Sequence, residues 1–350
     1  ERVGRHDNFF DLGGHSLLAV SMLRQTAERG FNMTLAHLFK LPTLAEQASY
    51  LCGAGGISLE RSDGLILMRS GGGNPLFFLH DALGDSSPYV ELVGLLKGDY
   101  PIYGVEVSWA RSDDEALTSI ERLAARYVDV IRSVQPSGSY RLAGWSGGGV
   151  LAYEIARQLS QMGGEIGFVG MIDTSILGCM DLMISSLLTK KSFVIETLRM
   201  FNPGYEESVF NELDAMGSLE EVFDKASDMS MIFGGVSQES FVNRIDVSWA
   251  ITKALWEYRP EVFRNERVYI FGATELTEIH INLGIDDVNV RGWDIFGELA
   301  PKVVPIGGTH YTIMRSPHLE VLANQFDRLL NESPAKPSHS EVEFSHGEVL

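Results

Sequence analysis

Cysteine is almost missing from this chain: Cys52 and Cys179 are the only two in 350 residues. No disulfide framework can therefore staple the fold, and neither cysteine stands at a metal-ligand spacing, so no metal site is expected. Long apolar runs are missing too, the longest being too short and too interrupted to span a bilayer. Positive charge is scarce, with 28 Lys and Arg against 47 Asp and Glu and a net charge of −19. That balance would repel a phosphate backbone or an anionic lipid surface, so neither nucleic acid nor membrane is expected as a partner; excess acid is also an ordinary route to solubility. The opening residues Glu1 to Asp7 carry charge where a signal peptide would need an apolar core, which suggests a cytoplasmic protein.

The length suits one small and one large domain, since single cores stop growing near roughly 250 to 300 residues. Between Ser16 and Arg29 the apolar positions Leu17, Val20, Leu23 and Ala27 recur three or four apart, one face of a helix with Ser16 at its start. A short helix near Thr34 to Phe39 follows, and Pro42-Thr43-Leu44-Ala45-Glu46 opens a third, with Thr43 and Glu46 spaced as a capping box. Residues 1–51 thus read as a small all-α bundle. Residues 52–63 have no periodicity and read as a linker able to reach about 40 Å when extended.

From residue 64 the pattern changes. Short apolar runs at Leu65 to Met68, Leu76 to Leu79, Ile102 to Val107, Tyr140 to Ala143, Phe168 to Ile172, Val268 to Phe271 and Val303 to Ile306 alternate with helical patterns. Such alternation predicts an α/β fold with a mostly parallel sheet. The turn signal Gly71-Gly72-Gly73-Asn74-Pro75 predicts that the first two runs form an antiparallel hairpin at the sheet edge. Residues 176–250 break the rhythm, are acidic, and read as an inserted helical cap; 332–350 read as a disordered tail.

Two serines sit in different chemical settings. Tyr140 to Ala143, then Gly144-Trp145-Ser146-Gly147-Gly148-Gly149 and a helix through Leu159, place Ser146 where strand, tight turn and helix meet. This is the context of a nucleophile elbow, in which small flanking residues let Oγ project at the sheet edge. A hydroxyl needs a histidine to take its proton and an acid to fix the histidine's tautomer, here in the chain order serine, acid, histidine. His310, in a glycine-led loop just past the last strand, is better placed than His280; His318 falls at the start of the final helix, and His339 and His346 lie in the tail. For the acid, both Asp173, directly at the end of the strand beside the nucleophile's, and Glu275, after the next strand, are geometrically open, and Asp173 is the better placed. Backbone donors for an oxyanion would come from Gly147 and from Ala82 in the loop Leu79-His80-Asp81-Ala82-Leu83-Gly84. Trp145, next to the nucleophile, could line an acyl pocket or simply pack.

Ser16, in Gly13-Gly14-His15-Ser16-Leu17, has no elbow, and by itself reads as a helix N-cap worth about 1 kcal/mol. The whole string Asp7-Asn8-Phe9-Phe10-Asp11-Leu12-Gly13-Gly14-His15-Ser16-Leu17-Leu18, however, resembles the core of peptidyl carrier domains from nonribosomal peptide synthetases. The resemblance implies that Ser16 carries covalent phosphopantetheine. Residues 64–331 resemble the type I thioesterase that ends such synthetases, through Gly-Trp-Ser-Gly-Gly, the strand-end Asp173 and Gly307-Gly308-Thr309-His310. That likeness implies an α/β hydrolase fold, a lid at 176–250, and Asp173 rather than Glu275 as the acid. Two departures stand out: Asp81 occupies a position where the family commonly has proline, and the family's first carrier helix would precede Glu1, as in a fragment of a synthetase.

The function these resemblances imply is chain release. A peptidyl or acyl thioester held at Ser16 would pass to Ser146 and leave by hydrolysis or cyclisation. The implied partners are upstream condensation and adenylation modules and a phosphopantetheinyl transferase. The rival expectations are a free-standing serine esterase or lipase, a non-catalytic carrier or interaction scaffold, and carbon-carbon bond formation by the same triad.

Overall fold

The computed structural model describes residues 3–9, 12, 22, 26, 33, 38, 41–51, 64–107, 110–176, 189–202, 204–229, 231, 238–276 and 292–332. Ser16, the linker 52–63 with Cys52, Cys179, His280, and the tail with His339 and His346 lie outside the described residues.

In the N-terminal part, helix α1 (Leu44–Leu51) starts as its capping box requires. The Thr43 N–H donates to Glu46 Oε2 at 3.0 Å, and the Glu46 N–H donates back to Thr43 Oγ1 at 3.3 Å. Asn8 bridges to Thr43 in antiparallel fashion, the Phe9 N–H donates to the Pro42 carbonyl, and Leu38 and Leu41 are buried.

The larger part is built on seven strands: β1 (Leu65–Arg69), β2 (Leu76–Leu79), β3 (Ile102–Val105), β4 (Ser139–Trp145), β5 (Glu165–Ile172), β6 (Val268–Ala273) and β7 (Lys302–Ile306). Their spatial order is β1-β3-β2-β4-β5-β6-β7, and every neighbouring pair is parallel except β1 with β3. This corrects the expected hairpin. β1 pairs with β3 through Leu65 opposite Val105, and β2 lies on the far side of β3. The physical reason is burial: Leu76, Phe77, Phe78 and Leu79 are all fully buried, so β2 belongs inside the sheet with a partner on each side. β1 exposes Leu67 and suits the edge.

Strand alternation feeds two cores. Phe77 and Leu79 point to the face covered by α3 (Ile120–Val134), α4 (Gly147–Gln161) and α8 (Gln238–Glu257). Leu76 and Phe78 point to the face covered by α2 (Val90–Leu95) and α9 (His318–Asn331). On that second face Phe326 of α9 meets the rings of Phe168, Phe271 and Phe78 at 4.9, 5.1 and 5.9 Å.

Between β5 and β6 the described elements are helices alone: α5 (Lys190–Phe201), α6 (Glu207–Asp214), α7 (Leu219–Asp228) and α8. The first three bury their own small cluster, including Val194, Leu198, Phe210, Leu213 and Val222, together with Ile245 from α8. Further along α8, Val247, Ile251, Ala254 and Leu255 join the main core instead. One helix therefore belongs to both bodies, and it runs seven residues past the expected end of the insertion at 250. Among the described residues, no helix is long and apolar enough to cross a membrane.

Phe326→Ala removes a fully buried ring from a stacked aromatic group, and should destabilise the protein by about 3–5 kcal/mol, read from the midpoint of chemical denaturation.

Candidate active site

The C-terminal ends of the parallel strands deliver the chemistry-bearing residues to one edge. β4 ends at Trp145 and α4 begins at Gly147, so the whole reversal is made at Ser146, with φ +55° and ψ −126°. A non-glycine residue held there stores strain of roughly 1–3 kcal/mol and persists only where its surroundings over-determine it. They do so here. The Ser146 N–H donates to the Ile172 carbonyl at 2.9 Å, the Gly149 N–H donates to the Ser146 carbonyl at 3.0 Å, and the Trp145 N–H donates to Tyr89 Oη at 2.8 Å. Tyr89 in turn donates its hydroxyl to the Leu79 carbonyl at 2.6 Å, tying the turn to β2. Burial holds the Tyr89 pKa well above its ordinary value, so it remains a neutral donor. Only glycine fits beside this turn at position 148, where a Cβ would lie 2.3 Å from the Leu79 carbonyl oxygen.

Asp173 follows β5 directly, also at positive φ (+46°), and is fully buried. Its two oxygens are both engaged: Oδ1 accepts the Ala273 N–H at 2.7 Å, and Oδ2 lies 2.7 Å from His310 Nδ1. A buried carboxylate beside Nδ1 favours the tautomer that carries its proton there and leaves Nε2 unprotonated. Trp145 lies under the His310 ring, with centroids 5.1 Å apart and planes 28° apart, and its indole N–H donates to the His310 carbonyl at 3.1 Å. The ring is thus fixed by an acid at one edge and an indole on one face. The alternative acid, Glu275, is exposed, and its N–H donates to the Gly308 carbonyl.

The loop after β2 comes close to the start of α4: a Cβ placed on Gly147 would be 3.6 Å from the Ala82 nitrogen. Gly147 opens its helix, so its N–H has no intrahelical acceptor. The Ala82 N–H has no acceptor among the described residues. The Ala82 amide thus lies close to the first residue of α4, directly after Ser146. Leu255 of α8 packs against Gly147, its Cδ1 standing 2.7 Å from the same Gly147 Cβ position.

The loop itself is pinned by His80, which is fully buried. Its Nδ1 donates to the Asp81 carbonyl at 2.6 Å, since a carbonyl can only accept, and Nε2 accepts the Tyr127 hydroxyl at 2.6 Å. Burial pushes the His80 pKa down to about 4, so this imidazole is neutral and structural. Among the described residues, no group of three or more His, Cys, Asp or Glu is placed to hold a metal ion.

Sequence reasoning left Trp145 between pocket lining and packing, and did not identify Tyr89 or the His80–Tyr127 pair. No local pattern marks a tyrosine that works through its hydroxyl 56 residues from its partner. The geometry brings Asp173 and His310 together next to the Ser146 turn, and brings Ala82 to Gly147.

Comparison with known proteins gives these observations a context. Residues 1–51 match the family described as phosphopantetheine attachment site, and residues 74–179 match the thioesterase domain family. Malpibaldin synthetase of Mortierella alpina is 41% identical over 178 residues, which is 50% of this chain and 3% of that protein. A dimodular nonribosomal peptide synthase of Bacillus subtilis (strain 168) is 40% identical over 174 residues, 49% of this chain and 7% of that one. The chain therefore spans only a small part of the curated relatives it matches. Among solved structures, holo-AB3403, a four-domain nonribosomal peptide synthetase, superposes with a TM-score of 0.68 at 26% identity, over 95% of this chain and 25% of that one.

Tyr89→Phe removes the hydroxyl that serves both the Trp145 N–H and the Leu79 carbonyl. Leaving these buried groups without partners should lower stability by about 1–3 kcal/mol in a denaturation experiment, and slow labelling of Ser146 by a fluorophosphonate.

Proposed function

We propose that this chain, a carrier and thioesterase didomain of the nonribosomal peptide synthetase kind, releases a finished acyl or peptidyl chain through Ser146, His310 and Asp173. The observation that carries the reading is the 2.7 Å contact of buried Asp173 with His310 beside the positive-φ turn at Ser146, in the same chain as a phosphopantetheine-attachment region. When bound at Ser16, the phosphopantetheine arm supplies a thiol that presents the substrate as a thioester.

The chemistry at the larger domain then follows from the geometry. Ser146 Oγ attacks the thioester carbonyl carbon while His310 Nε2 takes the hydroxyl proton. Asp173 keeps the Nδ1 proton in place and stabilises the imidazolium. The carbonyl oxygen, now carrying charge, receives the Gly147 and Ala82 N–H groups. Collapse breaks the carbon–sulfur bond, and the thiolate leaves with the proton from His310. The acyl chain is then an ester on Ser146. Water activated by His310 releases a linear acid; an amine or hydroxyl of the same chain releases a lactam or lactone. The helices α5 to α8 act as the lid whose closure governs admission of water. With the two domains on one chain, the linker at 52–63 gives an effective concentration on the order of millimolar, so little contact affinity between them is needed. Upstream condensation and adenylation modules would supply the thioester, and a phosphopantetheinyl transferase would modify Ser16.

Intact-protein mass spectrometry after loading acyl-pantetheine groups with a phosphopantetheinyl transferase tests the assignment. Ser16→Ala should show no mass gain. Ser146→Ala should keep its acyl load while the wild type clears it, with release slowed on the order of 10⁶-fold. Release from Ser146→Ala at the wild-type rate would refute the mechanism. Asp173→Asn should slow release about 10⁴-fold with Ser16 loading unchanged, because the amide no longer selects the Nδ1–H tautomer.

A further inference from the structure

Asp81 stands one residue before the proposed oxyanion donor Ala82, and its surroundings are unusual for a carboxyl. It is only 5% exposed, and it organises the loop by both its side chain and its main chain. Oδ1 accepts the Leu83 N–H at 2.9 Å, a side-chain turn that spans Ala82. Its carbonyl accepts the Gly84 N–H at 3.2 Å and the His80 Nδ1–H at 2.6 Å. Gly84, at φ +88°, then passes its own carbonyl to the Val107 N–H at 3.0 Å. The residues on either side of Ala82 are therefore tied down while the Ala82 N–H is left for another acceptor.

We propose that Asp81 is the positioning residue of the oxyanion hole: its carboxyl holds the Ala82 N–H toward Gly147, and the charge on that carboxyl sets how well the hole accepts a developing oxyanion. The proposal rests on the reading that Gly147 and Ala82 form that hole. A neutral carboxyl still accepts the Leu83 N–H, so the turn survives protonation. A charged one places a negative charge about one peptide unit from the oxygen that becomes negative, opposing the transition state in a site shielded from water.

The charges facing Asp81 come from several elements. Asp85 lies on the same loop, with Oδ1 accepting the Ser87 N–H and hydroxyl. Glu106, just past β3, accepts the Ser86 N–H at 3.1 Å and the Ser86 hydroxyl at 2.7 Å, and burial raises its pKa. His80 is neutral beside Tyr127 of α3, and Tyr89 is a neutral phenol. Arg244 of α8, in the inserted helices, forms an ion pair with Asp85 Oδ2. Burial, and then the charge of Asp85, push the Asp81 pKa up to about 7, while the Leu83 N–H and Arg244 pull it back. The carboxyl thus changes charge near neutrality, and a residue of the lid helix takes part in setting where.

The rate at which a fluorophosphonate phosphonylates Ser146 reads the hole directly, because the attacked phosphorus also gathers negative charge on oxygen, and it needs no knowledge of the natural acyl chain. In the full-length chain, the wild-type rate should fall on the alkaline side with a midpoint near pH 7. Asp81→Asn keeps the acceptor without the charge, so it should stay within about threefold of wild type at pH 6 and lose the alkaline fall. Asp81→Ala loses the acceptor and should be slowed by about tenfold or more at every pH, approaching the loss of one oxyanion donor. Arg244→Gln should move the alkaline fall to higher pH.

Thermal unfolding gives a second reading. The Asp81 pKa lies above the value of 3.8 for a free carboxyl, so the stability contributed by its protonated form is full below that value and lost as pH rises through about 7. Asp81→Asn should therefore gain Tm relative to wild type at pH 8.5 and not at pH 4. An Asp81→Ala variant that reacts at the wild-type rate, or an Asp81→Asn variant that keeps the alkaline fall, would overturn the proposal. Unchanged labelling of Ser146→Ala would instead refute the nucleophile assignment itself, whatever Asp81 does.

Discussion

The start of α4 lies directly against the carbonyl end of β2, and this close approach is the constraint on which the rest of the site depends. A single Cβ at Gly148 would collide with the Leu79 carbonyl, and one at Gly144 would meet the Gly148 backbone at 2.1 Å. With side chains removed at these points, the chain can reverse within one residue, and Ser146 takes the strained conformation of the turn. The same contact brings the β2 loop beside the first amide of α4. The placement of Ser146 and of the Ala82 amide beside it therefore follows from one packing event, and Tyr89 locks it by joining β2 to the Trp145 amide through its hydroxyl.

Around that turn the protein buries carboxylates and gives each fixed partners. Asp173 is fully buried, yet both of its oxygens are bonded, one to the backbone and one to His310. Glu154 on α4 is buried with bonds from Arg157 at 2.7 and 2.8 Å, from Gln158 at 2.7 Å and from the Tyr258 hydroxyl at 2.8 Å. This second network fastens the chain just past α8 to the helix that follows Ser146. Removing one partner of such a group is strongly unfavourable, because the charge left behind stays buried. The networks thus give the site one geometry rather than many.

Helix α8 connects these parts. Its C-terminal half is part of the main core and covers Gly147 with Leu255, while Ile245 joins the separate cluster of α5 to α7. Between Arg244 and Tyr258 the helical rise amounts to about 21 Å. A displacement of the inserted helices would accordingly be felt at the Arg244–Asp85 pair, while the buried Tyr258–Glu154 end holds. The inserted helices and the loop after β2 are in this way joined through one ion pair.

Much of this organisation was legible from residue order alone. Strand and helix alternation, the glycine-flanked Ser146 and the Thr43–Glu46 cap are local patterns whose physics acts within a few residues, and the structure shows the corresponding sheet, turn and cap. The resemblance of the two serine strings to carrier and thioesterase families was equally local. Strand pairing was not: the Gly71 to Pro75 turn cannot reveal that β3 comes to lie between β1 and β2, because that depends on which strand can bury both faces. Residue order favoured Asp173, directly at the end of the strand beside that of Ser146, yet left Glu275, which follows the next strand, geometrically open. Only the folded chain places Asp173 in the interior against His310 and leaves Glu275 exposed. Residue order determined the kinds of chemical group and the elements that carry them. Tertiary structure decided which groups meet and how far burial moves their charge, as at Asp81 and His80, because desolvation and contact are properties of the packed interior rather than of neighbouring residues.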